Sequence, residues 1–174
     1  MTACRLITPD DAPVLAELQR LNQPYLAPWE PVRADGYFTE AGQRAAIEKA
    51  LTEYEQGRNL PCVILDEGAG IVGRITLNGI VRGAFQSCSA GYWVSQSVSG
   101  RGVATAALRE IIGVAFTELE LHRIQGETLL DNFASQRVLE RNGFARIGIA
   151  PQYLKIAGRW QDCVVYQLIN PSAT

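Results

Sequence analysis

The chain has a single histidine, and its four cysteines, Cys4, Cys62, Cys88 and Cys163, lie far apart with no C-x-x-C pair. A zinc site or a dense disulfide framework needs clustered ligands or close cysteine spacing, so neither is suggested and no metal is expected. Buried free thiols are the expected state of these cysteines. Long apolar runs are missing as well. No segment approaches the roughly eighteen uninterrupted apolar residues of a membrane span, and the opening MTACRLITPDD lacks a basic region followed by an apolar one. A cytoplasmic protein without membrane association is expected. Basic charge is not in excess: 16 Lys and Arg stand against 18 Asp and Glu, for a net charge of −2 and a pI near 5.5. Direct nucleic-acid binding, which depends on cations neutralising phosphates, is therefore not expected. The sequence also shows no internal repeat and no low-complexity linker. At 174 residues, with 47% hydrophobic and 20% charged residues, it reads as a single domain over 1–174.

What is present is an alternation of apolar periodicities near two and near 3.6, which interleaves strands with helices. Ala3 to Ile7 reads as a strand. Thr8-Pro9-Asp10 supplies capping and first-turn residues for a helix with Val14, Leu15, Leu18 and Leu21 on its inner face. QPYLAPWEPVRADGYF, from Gln23 to Phe38, then reads as an irregular loop. Long ordered loops in compact domains are enriched in function, so its aromatics Tyr25, Trp29 and Tyr37 are candidate substrate contacts. Thr39 caps a second helix through Ile47, Leu51 and Tyr54, stopped at Gly57. LPCVILD and IVGRITLNGIV form a hairpin around EGAG, and Arg74 falls on the second strand's alternate face.

The stretch YWVSQSVSGRGVATAALREI places Gly100 and Gly102 between a strand ending at Val94 and a helix carrying Ala104, Leu108, Ile111 and Ala115. A helix start leaves backbone N–H groups unpaired beside a partial positive charge, so Ser99 to Thr105 can wrap a phosphate or pyrophosphate. The same glycines equally suit a tight turn. A dinucleotide fingerprint is not met, because Thr105 stands where its third glycine belongs, and the Walker lysine is missing.

Further on, HRIQGETLLDNFASQRVLERNGFARIG reads as a strand, then Asn132, a short helix through Ser135, Val138 and Leu139, and an Asn142-Gly143 stop. A strand followed by G-x-G-x-A-T, a helix, a strand and N-x-x-S-x-x-V-L-x-x-N-G-F resembles the GNAT acyl-CoA N-acyltransferases. Within that superfamily the segments NGIVRGAFQSCSAGYWV and YLKIAGRWQDCVVY resemble the Rim-type (RimJ/RimL-like) ribosomal-protein alanine N-acetyltransferases. Ser97 stands at the first position of the glycine motif, where the superfamily carries Gln or Arg. The resemblance implies an α+β fold with a mixed, mostly antiparallel sheet, in which a central parallel strand pair splays apart between flanking helices. It implies acetyl-CoA in that wedge, with pantetheine along the backbone of Trp93, Val94 and Ser95 and a hydrogen bond from Asn132. The pyrophosphate would lie on Gly100, Gly102, Val103, Ala104 and Thr105, and Arg101 and Arg137 would be candidates for the 3′-phosphate or simply solvated charges.

The implied chemistry is transfer of acetyl from a thioester to an amine. The Val94 N–H would polarise the carbonyl. Many GNAT enzymes protonate the leaving thiolate with a tyrosine on the last helix, but Leu139 occupies that position. Ser135 becomes the candidate, against an ordinary role in helix capping. No base stands out: Glu127 lies on the preceding strand, and Gln152 falls where Rim-type enzymes carry an acid. An α-amine with a pKa near 8 is roughly 10–20% neutral at pH 7, whereas a lysine is below ~0.1% neutral. The expected acceptor is therefore an N-terminal α-amine, by resemblance an alanine of a ribosomal protein. A small-molecule amine and a non-catalytic acyl-CoA-binding module are the alternatives, and monomer and dimer both remain open.

Overall fold

Apolar runs with strand-like alternation become a seven-stranded sheet in the order β1-β2-β3-β4-β5-β7-β6. The structure is a computed structural model that describes residues 3–172; residues 1–2 and 173–174 of the expected domain lie outside the described residues. The strands are β1 (Ala3–Leu6), β2 (Leu60–Leu65), β3 (Ile71–Val81), β4 (Ser87–Val94), β5 (Arg123–Leu129), β6 (Ala145–Ile156) and β7 (Arg159–Ile169). The helices are α1 (Ala12–Leu26), α2 (Glu40–Glu55), α3 (Val103–Thr117) and α4 (Phe133–Arg141). Neighbouring strands are antiparallel except β4 and β5, which run parallel. Their ladder pairs Ser87 with Arg123, Cys88 with Ile124 and Ser89 with Gln125, and then stops, although β4 continues to Val94 and β5 to Leu129. Past that point the two strands diverge and leave a wedge in the middle of the sheet. This mixed sheet with its splayed pair is the architecture implied by the resemblance.

On one sheet face Ile75, Leu77, Ile124 and Tyr166 pack with Leu108, Ile111 and Ala115 of α3 and Leu139 of α4. Gly126 is required there: a Cβ at this position would lie 2.6 Å from Leu139 Cδ2. On the other face α1 and α2 cover Val63 with Leu15 and Ile47.

α1 departs from the expected pattern in three ways. A 3₁₀ turn, Pro9–Asp11, precedes it, held by paired hydrogen bonds from Arg5 to the Asp11 carboxylate at 2.7 and 2.8 Å and by the Thr8 amide donating to Asp11. Its inner face is Ala12, Leu15, Ala16, Gln19, Asn22 and Leu26, while Val14 and Leu21 are exposed. Of the expected apolar positions Leu15 is buried and Leu18 half-buried, and the buried stripe continues through Asn22, which is buried for its hydrogen bonds and not for its hydrophobicity. Finally, the helix absorbs Pro24 in its last turn and runs to Leu26, so the irregular segment begins at Ala27 and not at Gln23.

Thr39 caps α2 by accepting from the Gly42 amide at 3.1 Å, as expected. All four cysteines are free; Cys62, Cys88 and Cys163 are buried and Cys4 is half-buried. Burial pushes the Cys4 and Cys88 thiols up to about 12, so neither is poised to react. Among the described residues no helix is long and apolar enough to cross a membrane, and no cluster of His, Cys, Asp and Glu could hold a metal ion.

Candidate active site

The wedge between β4 and β5 opens into a cavity of about 850 Å³ lined by both strands, the start of α3, one side of α4, β3 and the end of α1 with the loop that follows. Its chemistry divides by sheet face.

On the α3 side the β4–α3 connection provides backbone donors. Gly100 and Gly102 adopt φ of 76° and 81°, a left-handed conformation that side chains other than glycine rarely enter. A Cβ at either position would meet no protein atom within 4 Å, so the backbone conformation, not internal crowding, demands glycine. No side chain caps α3, whose first bond runs from the Ala106 amide to the Gly102 carbonyl at 2.9 Å. The amides of Val103, Ala104 and Thr105 therefore lack intrahelical acceptors, and these residues line the cavity together with Ser99, Gly100 and Gly102. Arg101 does not line it. Arg137 does, joined by Arg141 one turn later on α4. Arg141 had a signal in its i, i+4 spacing from Arg137.

The loop itself is held from α1. Asn22 accepts from the Gln96 amide at 2.8 Å and from the Ser95 hydroxyl at 3.2 Å, while its own amide donates to the Leu18 carbonyl at 2.8 Å. Ser97 Oγ lies 3.0 Å from Ser95 Oγ. Tyr25, expected among the substrate contacts, lines the cavity and donates to Ser99 Oγ at 3.0 Å.

Along β4 the backbone alternates. The Ser95 amide donates to the Val72 carbonyl at 2.7 Å, toward β3. By the two-residue period Trp93 also points its backbone to β3, and Val94 and Tyr92 turn theirs to the wedge. Trp93 and Val94 line the cavity; Ser95 is buried behind it and does not. Asn132 lines it too, but its side-chain oxygen is engaged as the α4 cap, accepting from the Ser135 amide at 3.1 Å. The Ser135 hydroxyl lies 3.0 Å from the Tyr92 phenol, which also donates to the Ser135 carbonyl at 3.2 Å. Burial pushes Tyr92 up to about 12 against the opposing effect of that Ser135 hydrogen bond. Leu139 points into the core over Gly126 and away from the cavity. The α4 position that holds tyrosine in many GNAT enzymes is thus structural in this chain, and the nearby phenol comes from β4.

The α1 side is charged. Glu127 lines the cavity and accepts from the Ser89 hydroxyl; burial raises its carboxyl above the ordinary range, partly offset by that hydrogen bond. Trp29 is half-buried against Leu129, Ile156 and Cys163, and it lines the cavity. Tyr37 lines it as well, with Phe38 edge-on at 5.6 Å and the Arg33 guanidinium 4.7 Å over its ring. Glu30 and Arg74 complete this end. Burial raises the Glu30 carboxyl, opposed by Arg33 and Arg74, and burial lowers Arg74. Sequence patterns did not distinguish either residue from surface charge. Gln152 is exposed, its amide donating to the Asp162 carboxylate at 2.9 Å, and it does not line the cavity.

Residues 4–145 match the model for the acetyltransferase (GNAT) domain. The chain is 36% identical over 155 residues to the Probable N-acetyltransferase YjcK of Bacillus subtilis, covering 88% of this chain and 86% of that one. It is 32% identical over 171 residues to the ribosomal protein uS5-alanine N-acetyltransferase of Escherichia coli, covering 98% and 88%. Among solved structures, Mycobacterium smegmatis RimJ in complex with CoA-disulfide superposes with a TM-score of 0.93 at 30% identity, over 97% of this chain and 81% of that one.

Proposed function

The chain belongs to the GNAT acetyltransferase family and is an N-acetyltransferase, and from that premise we propose that it moves acetyl from acetyl-CoA to the N-terminal α-amine of a protein. An alanine N-terminus of a ribosomal protein is the first acceptor to test. The observation that carries this reading is that a single cavity combines the unpaired amides of Val103, Ala104 and Thr105 with the half-buried carboxylate of Glu127.

The donor set suits acetyl-CoA. Three helix-start amides and the glycine backbone fit a pyrophosphate, Arg137 and Arg141 fit a further phosphate, and the free β4 edge at Tyr92 and Val94 fits the amides of pantetheine. Bound there, acetyl-CoA supplies a thioester that a neutral amine attacks. The Val94 N–H, turned to the wedge, polarises the carbonyl. Glu127 draws the ammonium form of the acceptor and takes up its proton, directly or through water. Ser135 Oγ, backed by the Tyr92 phenol, holds the proton needed at the departing sulfur. An α-amine with a pKa near 8 is within reach of a carboxylate raised by burial, whereas a lysine amine loses its proton about 3.5 kcal/mol less readily.

Thiol release from acetyl-CoA in the presence of an acceptor panel tests this. Peptides with a free N-terminal alanine should turn over, and the same peptides blocked at the N-terminus but bearing lysine should not. Turnover of aminoglycosides or polyamines without peptide activity would overturn the proposal in favour of a small-molecule amine, and acetyl-CoA binding with no turnover would leave a binding module.

A further inference from the structure

Arg74 is a cation without a fixed partner. Its guanidinium lines the cavity on the α1 side, its Nε is fully buried, and among the described residues none of its nitrogens makes a hydrogen bond or ion pair. A buried guanidinium left unpaired is costly, and structures retain such a group where a ligand completes it. The nearest carboxylate is shared: Glu30 faces both Arg74 and Arg33 and makes no hydrogen bond or ion pair to Arg74 among the described residues. The backbone around Glu30 is pinned, its carbonyl accepting from the Ala157 amide at 2.9 Å. Glu127 presents the opposite case, a half-buried carboxylate that accepts from one side chain among the described residues, the Ser89 hydroxyl.

We infer that Arg74 recognises an acidic group of the acceptor, so that the preferred substrate is an N-terminal α-amine followed closely by an aspartate or glutamate. This rests on the peptide-acceptor reading above. Sheet geometry sets the spacing. Arg74 sits on β3 opposite Trp93, and Glu127 sits on β5, beyond β4 and level with Gly91 if the parallel register is extended. Two inter-strand steps and one two-residue step set a lower bound of roughly 12 Å on the separation of their Cα atoms, since β4 and β5 diverge past Ser89 and Gln125, and the long Arg74 side chain spans part of the remainder. An extended peptide advances about 3.4 Å per residue, so a carboxylate within roughly the first four residues reaches Arg74 while the amine lies at Glu127. The planar guanidinium fork suits a carboxylate, and lysine would not reproduce its paired hydrogen bonds.

The test uses short peptide amides with N-terminal alanine and a single Glu or Gln at the second, third or fourth residue, so that the side chain is the only carboxylate. Binding to the full chain in the presence of CoA is measured by calorimetry, and turnover by thiol release. Wild type should bind the best Glu peptide about tenfold more tightly than its Gln counterpart, and Arg74→Gln should abolish that difference while leaving the Gln peptide within about twofold. Because the removed charge has no partner, Arg74→Gln should also melt at or above the wild-type temperature without acceptor. Equal binding of Glu and Gln peptides by wild type, or an equal loss for both in the variant, would overturn the inference. The calorimetric preference is read without turnover, so a protein that binds Glu peptides preferentially but acetylates none would overturn the peptide-acetylation reading and keep the role of Arg74.

Discussion

The α3 end of the cavity offers backbone: glycines at positive φ and three amides at a helix start, with arginines of α4 at the rim. The α1 end offers side chains from β3, β5 and the segment after α1, with charges of both signs in Glu127, Glu30 and Arg74. Backbone donors depend on chain conformation and tolerate most side-chain changes. Point charges are independent of the fold and can be exchanged one at a time. On the proposed reading, a scaffold built this way keeps its acyl donor while its acceptor changes.

The largest expected effect lies on the charged side. Glu127→Gln should lower kcat about 10²–10³-fold at pH 7 and leave acetyl-CoA affinity unchanged, measured by steady-state kinetics and calorimetry. Its folded carboxyl is raised by burial, so the stability linked to its protonated form is full in acid and is lost as pH rises through that raised value. The glutamine variant should therefore melt above wild type at neutral pH and lose that advantage in acid. Wild-type turnover in this variant would remove Glu127 from the reaction.

On the backbone side, Gly102→Val forces a β-branched residue to φ near 81° and should weaken acetyl-CoA binding roughly ten- to hundredfold. At saturating acetyl-CoA the acceptor KM should not move; a parallel rise would show that the two ends are not separable. Between them stands the hydroxyl pair. Ser135→Ala and Tyr92→Phe should each lower kcat about tenfold, with the double variant close to either single one because the two groups act as a unit. Additive losses would mean two independent roles. The smallest effect on rate belongs to Leu139→Tyr. Since Leu139 fills the space over Gly126, tyrosine there should cost about 1–3 kcal/mol of stability by denaturant titration and bring no gain in turnover.

The same division explains what the sequence made legible. Gly100, Gly102 and the apolar rhythm of α3 are consecutive in the chain, so local pattern was enough to locate the glycine loop and the helix start that follow β4. The parallel pair and its splay were implied by the family resemblance. Arg74 and Glu30 become neighbours only through sheet pairing and the path after α1, and no spacing links them. Tyr92 read as a strand residue because its hydroxyl acquires a role only where α4 crosses β4. Asn22 widened the buried face of α1 beyond its apolar positions, since a polar residue buried for its hydrogen bonds looks like surface in a linear pattern.

Asn22 has a consequence for binding order. A single carboxamide on the helix that leads into the acceptor segment grips Ser95 and Gln96, and Tyr25 on the same helix reaches Ser99. On the proposed reading α1 joins the acceptor end of the cavity, at its C-terminus, to the acetyl-CoA loop that it holds. A substrate that shifts this helix also shifts the loop, and thermodynamic linkage then makes the exchange mutual: acetyl-CoA alters acceptor affinity by the same factor as the acceptor alters that of acetyl-CoA.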